Sequence, residues 1–282
     1  MILIADSGST KTTWAIINSD GSTAEKCHTP GINPFLQTEN EIYDCLRNEF
    51  SSVDGPYDAI WFYGAGCANP EKKDKVKRAL DKFFNAGKIL VDSDLMAAAR
   101  SLCGTSPGIA AIIGTGSNSC YYDGTIIKRH VPPLGYILGD EGSGTVLGKK
   151  LLADILKNQL PEEICSAFFE KYQMKPDEIM DKVYRRAFPN RFMANFTFFI
   201  AENIDHPAIY NLVKTSFAEF FGRNVSQYPE SGHLPVSVTG SIGWHFSEIL
   251  RKAADEAGIH IGTITESPMK GLIDYHKNQI QH

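Results

Sequence analysis

The chain opens on an apolar run, Ile2-Leu3-Ile4-Ala5, that ends in Asp6, crosses a small hydroxyl-rich turn and resumes as Trp14-Ala15-Ile16-Ile17. Two short apolar runs around such a turn predict a hairpin with strands over 2–6 and 12–18. A third strand is predicted over 23–28, after the Asp20-Gly21 turn signal. Residues 42, 43, 46 and 50 are apolar or aromatic at near-helical spacing, which predicts a helix over 40–50. Strands follow over 58–63 and 88–91, with a helix over 72–84 between them and another opening near Asp94. Near residue 108 the pattern starts again: GIAAIIGTGSNSCYY holds an apolar run, a Gly-Thr-Gly-Ser turn and a second strand, and YDGTIIKR supplies a third. Self-similarity at about one hundred residues is too long for a solenoid and points to two lobes built on one strand-turn-strand core.

Helix signals then dominate to about residue 228, notably over 143–156, 161–172 and 206–223, with Phe192–Ile200 expected in the core of that block. A strand over 235–239 leads through Gly240-Ser241-Ile242-Gly243 into a helix expected to reach about Ala257. A strand over 260–266 and an amphipathic helix from Pro268 complete the chain. Strands and helices in this order predict an α/β protein with mixed sheets flanked by helices.

Composition narrows the function. The 282 residues are 43% hydrophobic and 22% charged, with a net charge of −5. That balance suits a globular protein with sizeable cores and argues against a nucleic-acid partner. The densest basic stretch, residues 71–78, is interleaved with acids and reads as the wet side of a helix. No apolar span of membrane length occurs, no secretory signal is recognisable, and six scattered cysteines with no C-x-x-C fit reduced thiols. A cytoplasmic protein without a membrane partner is the expectation. Neither a hydrolase elbow nor a zinc motif is present, and His130, His206 and His245 stand isolated.

Five stretches carry candidate chemistry. Asp6-Ser7-Gly8-Ser9-Thr10-Lys11-Thr12 is either a plain polar hairpin or a turn whose amides, hydroxyls and lysine cradle phosphate, with Asp6 near a hydrated Mg²⁺. Gly114-Thr115-Gly116-Ser117-Asn118 occupies the equivalent place in the second half. Leu138-Gly139-Asp140-Glu141-Gly142-Ser143-Gly144 sets two acids before a helix whose N-terminus could face a ligand, or which one acid caps. Val91-Asp92-Ser93-Asp94 could offer a carboxylate to an acceptor hydroxyl, with one of the two aspartates expected only as a cap. Val238-Thr239-Gly240-Ser241-Ile242 places a glycine turn at a strand end, where an adenosine could pack.

In this order the five motifs resemble the N-acetylglucosamine kinase family and its BadF-type ATPase relatives, within the superfamily of sugar kinases, actin and heat-shock chaperone ATPases. The resemblance implies two ribonuclease H-like lobes with a ligand cleft between them. These would be residues 1–105 and 106–267, the second with a helical insertion, and a final helix over 268–282 packing back on the first. It implies ATP and Mg²⁺, phosphate loops at Gly8, Ser9, Thr10, Lys11 and Thr12 and at Gly114, Thr115 and Gly116, and Gly240-Ser241 beside adenosine. Asp6 would hold Mg²⁺ through water, and Asp94 matches the catalytic base. Asn33, Thr115, Asn118 and Asp140 match sugar contacts. The implied activity is ATP-dependent phosphorylation of an amino sugar, N-acetylglucosamine or glucosamine, at its 6-hydroxyl, by a chain that a homodimer would suit. The alternatives are an ATPase that activates a partner enzyme and a non-catalytic sugar or nucleotide sensor. Departures are Ser7 and Ser9, where relatives often carry glycine, and a turn at Tyr63–Ala68 without the expected hydroxyl near the sugar.

Overall fold

The computed structural model describes residues 1–8, 10–51 and 55–280. The chain forms two compact units: Met1–Ser106 with Gly124–Ile126 and Ser267–His282, and Pro107–Asp123 with Ile127–Glu266. Among the described residues no helix is long and apolar enough to cross a membrane.

The first unit is built on β1 (Ile2–Ser7), β2 (Lys11–Ile17), β3 (Thr23–Pro30), α1 (Glu39–Glu49), β4 (Ala59–Gly64), α2 (Pro70–Phe83), β5 (Ile89–Ser93) and α3 (Asp94–Cys103). Its sheet runs β3-β2-β1-β4-β5, antiparallel on the hairpin side and parallel on the other. The central strand is apolar over Ile2–Ala5, where both of its faces are covered, and turns polar at Asp6 and Ser7. Trp14 anchors the core, with its ring 5.2 Å from Phe50, 5.7 Å from Phe84 and 5.9 Å from Phe62.

The second unit repeats the plan with β6 (Gly108–Ile113), β7 (Ser117–Tyr122) and β8 (Ile127–His130). Its helical block comprises α4 (Gly135–Leu138), α5 (Gly144–Leu156), α6 (Glu162–Tyr172), α7 (Pro176–Tyr184), α8 (Pro189–Ala194), α9 (Thr197–Glu202) and α10 (Pro207–Arg223). Then come β9 (Val236–Thr239), α11 (Ser241–His245), α12 (Ser247–Glu256), β10 (Ile261–Thr265) and α13 (Met269–Ile280). The sheet order β8-β7-β6-β9-β10 has the same pattern of antiparallel and parallel pairs as the first. The echo seen in the sequence is thus an echo in topology.

Two details differ from the sequence reading. The segment after α6 resolves into three short helices, whose Met193, Phe196, Phe199 and Ile200 enter the core while Phe198 stays exposed. The helix expected to run unbroken from residue 241 kinks at Phe246, whose φ and ψ are −101° and 30°. Its ladder continues through the kink, from Phe246 N–H to the Ile242 carbonyl and from Leu250 N–H to the Phe246 carbonyl. The buried Phe246 ring is thereby kept in the core.

Candidate active site

In the first unit the chemistry gathers at the carboxyl ends of three adjacent strands. The register sets Asp6 of β1 beside Tyr63 of β4, and Tyr63 beside Asp92 of β5. Asp94 opens α3 one residue beyond β5, where a parallel α/β sheet presents side chains to ligands. Asp6 and Asp94 feel each other: burial, then the Asp94 charge, lift Asp6 to about 7 despite the opposing pull of Lys11. Burial also raises Asp94, against the Leu95 N–H that donates to Oδ1 at 2.9 Å. Both carboxylates are thus held toward their protonated forms, chiefly by burial.

Neither aspartate of residues 91–94 caps α3. Ser93 does so, its hydroxyl accepting from Met96 N–H at 3.2 Å. Asp92 instead pairs with Lys73 of α2 at 2.7 Å, a partnership nineteen residues apart that no local pattern announces. The basic stretch is correspondingly not all wet. Lys75 Nζ donates to the carbonyls of Pro34 at 2.7 Å and Gln37 at 3.2 Å, and Lys72 lies over the Phe35 ring at 5.0 Å.

These lysines brace the loop carrying Asn33. Its Oδ1 accepts from Phe35 N–H at 3.0 Å, and its backbone N–H donates to Gln37 Oε1 at 2.7 Å. The loop abuts the 64–68 turn so closely that a Cβ on Gly66, where φ is +83°, would stand 2.4 Å from Asn33 Oδ1. Cys67 is buried there, its thiol pushed up to about 12 by burial and then by the Asp94 charge. Asp6, Asn33, the 64–68 turn and Asp94 therefore share one corner.

The first turn itself is tight, with Gly8 N–H donating to the Lys11 carbonyl at 3.0 Å. Thr10 and Lys11 are exposed, and Ser9 lies outside the described residues. Ser7 faces inward: its hydroxyl meets Thr12 Oγ1 at 2.7 Å, donates to the Ile32 carbonyl and accepts from Ile32 N–H. Thr12, expected among the phosphate contacts, is buried too, and its hydroxyl is spent on Ser7 and on the Pro30 carbonyl. Thr12 is corrected from ligand contact to hairpin clasp, because residues 7 and 12 face each other across the two strands.

In the second unit three stretches converge. Asp140, with φ of +56°, brings a carboxylate oxygen within 3.2 Å of where a Gly116 Cβ would sit and 3.4 Å from Ser117 N–H. Burial raises Asp140 to about 6. Gly240, with φ of +124°, backs onto the same turn: a Cβ there would meet the Ile113 carbonyl oxygen at 2.5 Å. Its glycine is demanded by backbone packing rather than by room for a ligand. Ser241 is exposed at the start of α11, and Thr115 is half-buried. Asn118 Oδ1 is held by Ser119 N–H at 2.9 Å and lies 2.8 Å from His130 Nε2.

Two sequence readings of residues 138–144 change. The cap of α5 is Ser143, not an acid, and Glu141 is paired with Arg223 at 2.8 Å and Asn224 at 3.1 Å. The N-terminus of α5 is not open to a ligand. Gly144 N–H goes to the Gly114 carbonyl at 2.8 Å and Thr145 N–H to the Thr115 carbonyl at 3.1 Å, so the helix start fixes the second turn.

Mg²⁺ is compatible with this chemistry. Mg²⁺ takes one or two carboxylates and keeps water and phosphate oxygens. Asp6, which feels the charge of Asp94, would hold such an ion through its carboxylate.

No protein-family profile matches the chain, and no curated protein does either. Solved structures do. A Porphyromonas gingivalis protein provisionally named an N-acetylglucosamine kinase aligns at 47% identity and a TM-score of 0.93, over 99% of both chains. A Chromobacterium violaceum protein with the same provisional name aligns at 16% identity and a TM-score of 0.76, over 97% of this chain and 98% of that one. A ROK family glucokinase from Streptomyces griseus, solved with glucose and AMPPNP, aligns at 15% identity and a TM-score of 0.55, over 97% of each. The last two show the fold alone, two lobes of ribonuclease H type. The near full-length match at 47% identity goes further: this protein belongs to the N-acetylglucosamine kinase family.

Proposed function

We propose that the protein is an ATP-dependent sugar kinase acting on N-acetylglucosamine or glucosamine and producing the 6-phosphate. The observation that carries this reading is the pair Asp6 and Asp94, two shielded carboxylates at the ends of β1 and β5 on either side of β4, with Asn33 in the same corner. Phosphoryl transfer to an alcohol needs a base at the acceptor oxygen and fixed positive or N–H groups at the phosphates. Asp94, raised by burial, takes the first role: it orients the sugar hydroxyl and accepts its proton as the oxygen attacks. Among the described residues the Asn33 side-chain oxygen accepts from Phe35 N–H and its amide nitrogen has no hydrogen bond, which suits a contact to the sugar. Asp140 and Thr115 offer further polar contacts to the hydroxyls, with Asn118 behind them. Gly8, Thr10 and Lys11 in one turn and Gly114, Thr115 and Gly116 in the other hold phosphate oxygens, and Gly240-Ser241 borders the adenosine. Mg²⁺ near Asp6 would neutralise charge on the phosphates. A cytoplasmic setting fits such an activity.

Coupled ADP release across a panel of hexosamines tests the substrate, and N-acetylglucosamine or glucosamine should give the highest kcat/KM. Asp94→Asn should retain ATP binding and lose at least about 100-fold in kcat. Near wild-type turnover in that variant would remove Asp94 from the role of base.

A further inference from the structure

Away from the strand ends, the first unit holds a second concavity, a pocket of about 350 Å³ between the end of α3, the turn after it and α13. That volume is at the small end of ligand sites, which start at about 300 Å³. Arg100, Thr105, Ser106, Asp274, Tyr275 and Asn278 are among its walls.

Arg100 is unusual in its company. Its guanidinium lies 5.4 Å from the Tyr275 ring, 5.6 Å from Trp61 and 5.7 Å from Tyr63. It donates one hydrogen bond, to the Tyr63 hydroxyl at 2.7 Å, and its buried Nε has no partner among the described residues. The carboxylate whose field it feels, Asp92, is tied to Lys73 at 2.7 Å instead. The rings around it, Trp61, Tyr63, Tyr275 and His276, carry no negative charge. Burial pushes Tyr63 up to about 12, and burial with the Arg100 charge pushes His276 down to about 3, so both stay neutral. A half-buried guanidinium with a neutral phenol and three aromatic faces around it forms no ion pair among the described residues, and it opens on a pocket whose other polar walls include Thr105, Ser106, Asn278 and the carboxylate of Asp274.

We propose that this pocket is an anion-binding site for a small hydroxylated metabolite bearing one phosphate or carboxylate group. The anion sits against the Arg100 guanidinium, which offers planar paired donors suited to either group. Thr105, Ser106 and Asn278 meet the hydroxyl or amino groups of the rest of the molecule. Asp274, exposed on the same wall, favours an amino or hydroxyl donor opposite it and disfavours polyanions such as nucleoside triphosphates.

The test needs no catalysis. The full chain is titrated with inorganic phosphate, glucosamine 6-phosphate and glutamate while the Arg100 Nε–H resonance is followed by heteronuclear NMR. The expected result is a saturable shift with a Kd of about 1 mM or tighter for at least one of the three. A response to the phosphates alone identifies a phosphate ester as the ligand class, and a response to glutamate alone identifies a carboxylate. Asn278→Trp, which fills the pocket from α13, should weaken binding at least about tenfold. Ser106→Trp does the same from the opposite wall and serves if the first variant is unstable. An Arg100 resonance unmoved by all three anions, or unchanged affinity in a folded pocket-filling variant, would overturn the proposal.

Discussion

Asp6 and Asp94 titrate as neighbours, and the sign of their coupling can be measured. Burial and the Asp94 charge both favour the protonated form of Asp6, so folding takes up a proton there between the ordinary value of 3.8 and about 7. Stability contributed by that proton is present at low pH and fades as pH rises through this window. Under the proposed function, Mg²⁺ would offset this cost by binding the ionised carboxylate. With a value raised to about 7, Asp6 is mostly protonated at pH 6 and mostly ionised at pH 8. Mg²⁺ should therefore raise the Tm clearly at pH 8 and weakly at pH 6. Asp94→Asn, which deletes the neighbouring charge, should lower the Asp6 pKa and move the onset of this Mg²⁺ effect toward lower pH. Equal Mg²⁺ shifts at the two pH values would dissociate Asp6 from the metal. At this scale the sequence was half legible. Asp6 and Asp94 stood out because carboxylates at strand ends are conspicuous. The inward turn of Ser7 and Thr12 was readable only through hairpin register, which pairs residue 7 with residue 12. The Lys73–Asp92 pair left no trace, since it joins a helix face to a strand end by tertiary packing.

Glycines that look alike in the motifs do different work in their elements. A Cβ on Gly8 would meet nothing nearer than the Lys11 carbonyl oxygen at 3.7 Å, and one on Gly114 would meet nothing within 4 Å. One on Gly240 would collide with the Ile113 carbonyl at a φ that L-residues rarely adopt. Gly240→Ala should therefore cost about 3 kcal/mol or more in denaturant unfolding, from backbone strain and overlap together. Gly8→Ala should shift stability by no more than about 0.5 kcal/mol, yet raise the KM for ATP roughly tenfold by placing a methyl where phosphate approaches. An unchanged KM would argue that the first turn is a hairpin and nothing more. Element boundaries were readable where apolar runs alternate with turn signals, which is why both sheets were anticipated strand by strand. The short helices α7, α8 and α9 were not separated. A six-residue helix such as α8 or α9 carries too few turns to show a period, and neither has a side-chain cap to mark its start. The cap of α3 was expected from an aspartate, and an acid was one alternative for α5, because Ser93 and Ser143 stand next to or near acids.

On the scale of the whole molecule, the chain leaves the first unit and returns to it at Ser267. The returning helix α13 packs on α3, β1 and β2, burying Met269, Leu272, Ile273 and His276. Fully burying an aliphatic or methionine side chain contributes about 1.5–3 kcal/mol, so three of them approach the roughly 5–15 kcal/mol by which a domain is stable. His276 adds its hydrogen-bonding contact with the Tyr63 hydroxyl at 2.9 Å and lies 4.5 Å from the Trp61 ring. Without α13 the first unit would expose apolar side chains of its central hairpin and leave Tyr63 and Arg100 facing water. A chain cut after Glu266 should thus lose the cooperative unfolding of the first unit and keep that of the second. Near-UV circular dichroism and limited proteolysis would locate the loss within residues 1–106. A synthetic peptide spanning 267–282 should restore protection in that segment when added in excess, because the contacts it makes need no covalent link. Full protection of residues 1–106 in the shortened chain would show that the sheet and its own helices suffice, and that α13 stabilises little of the unit it closes.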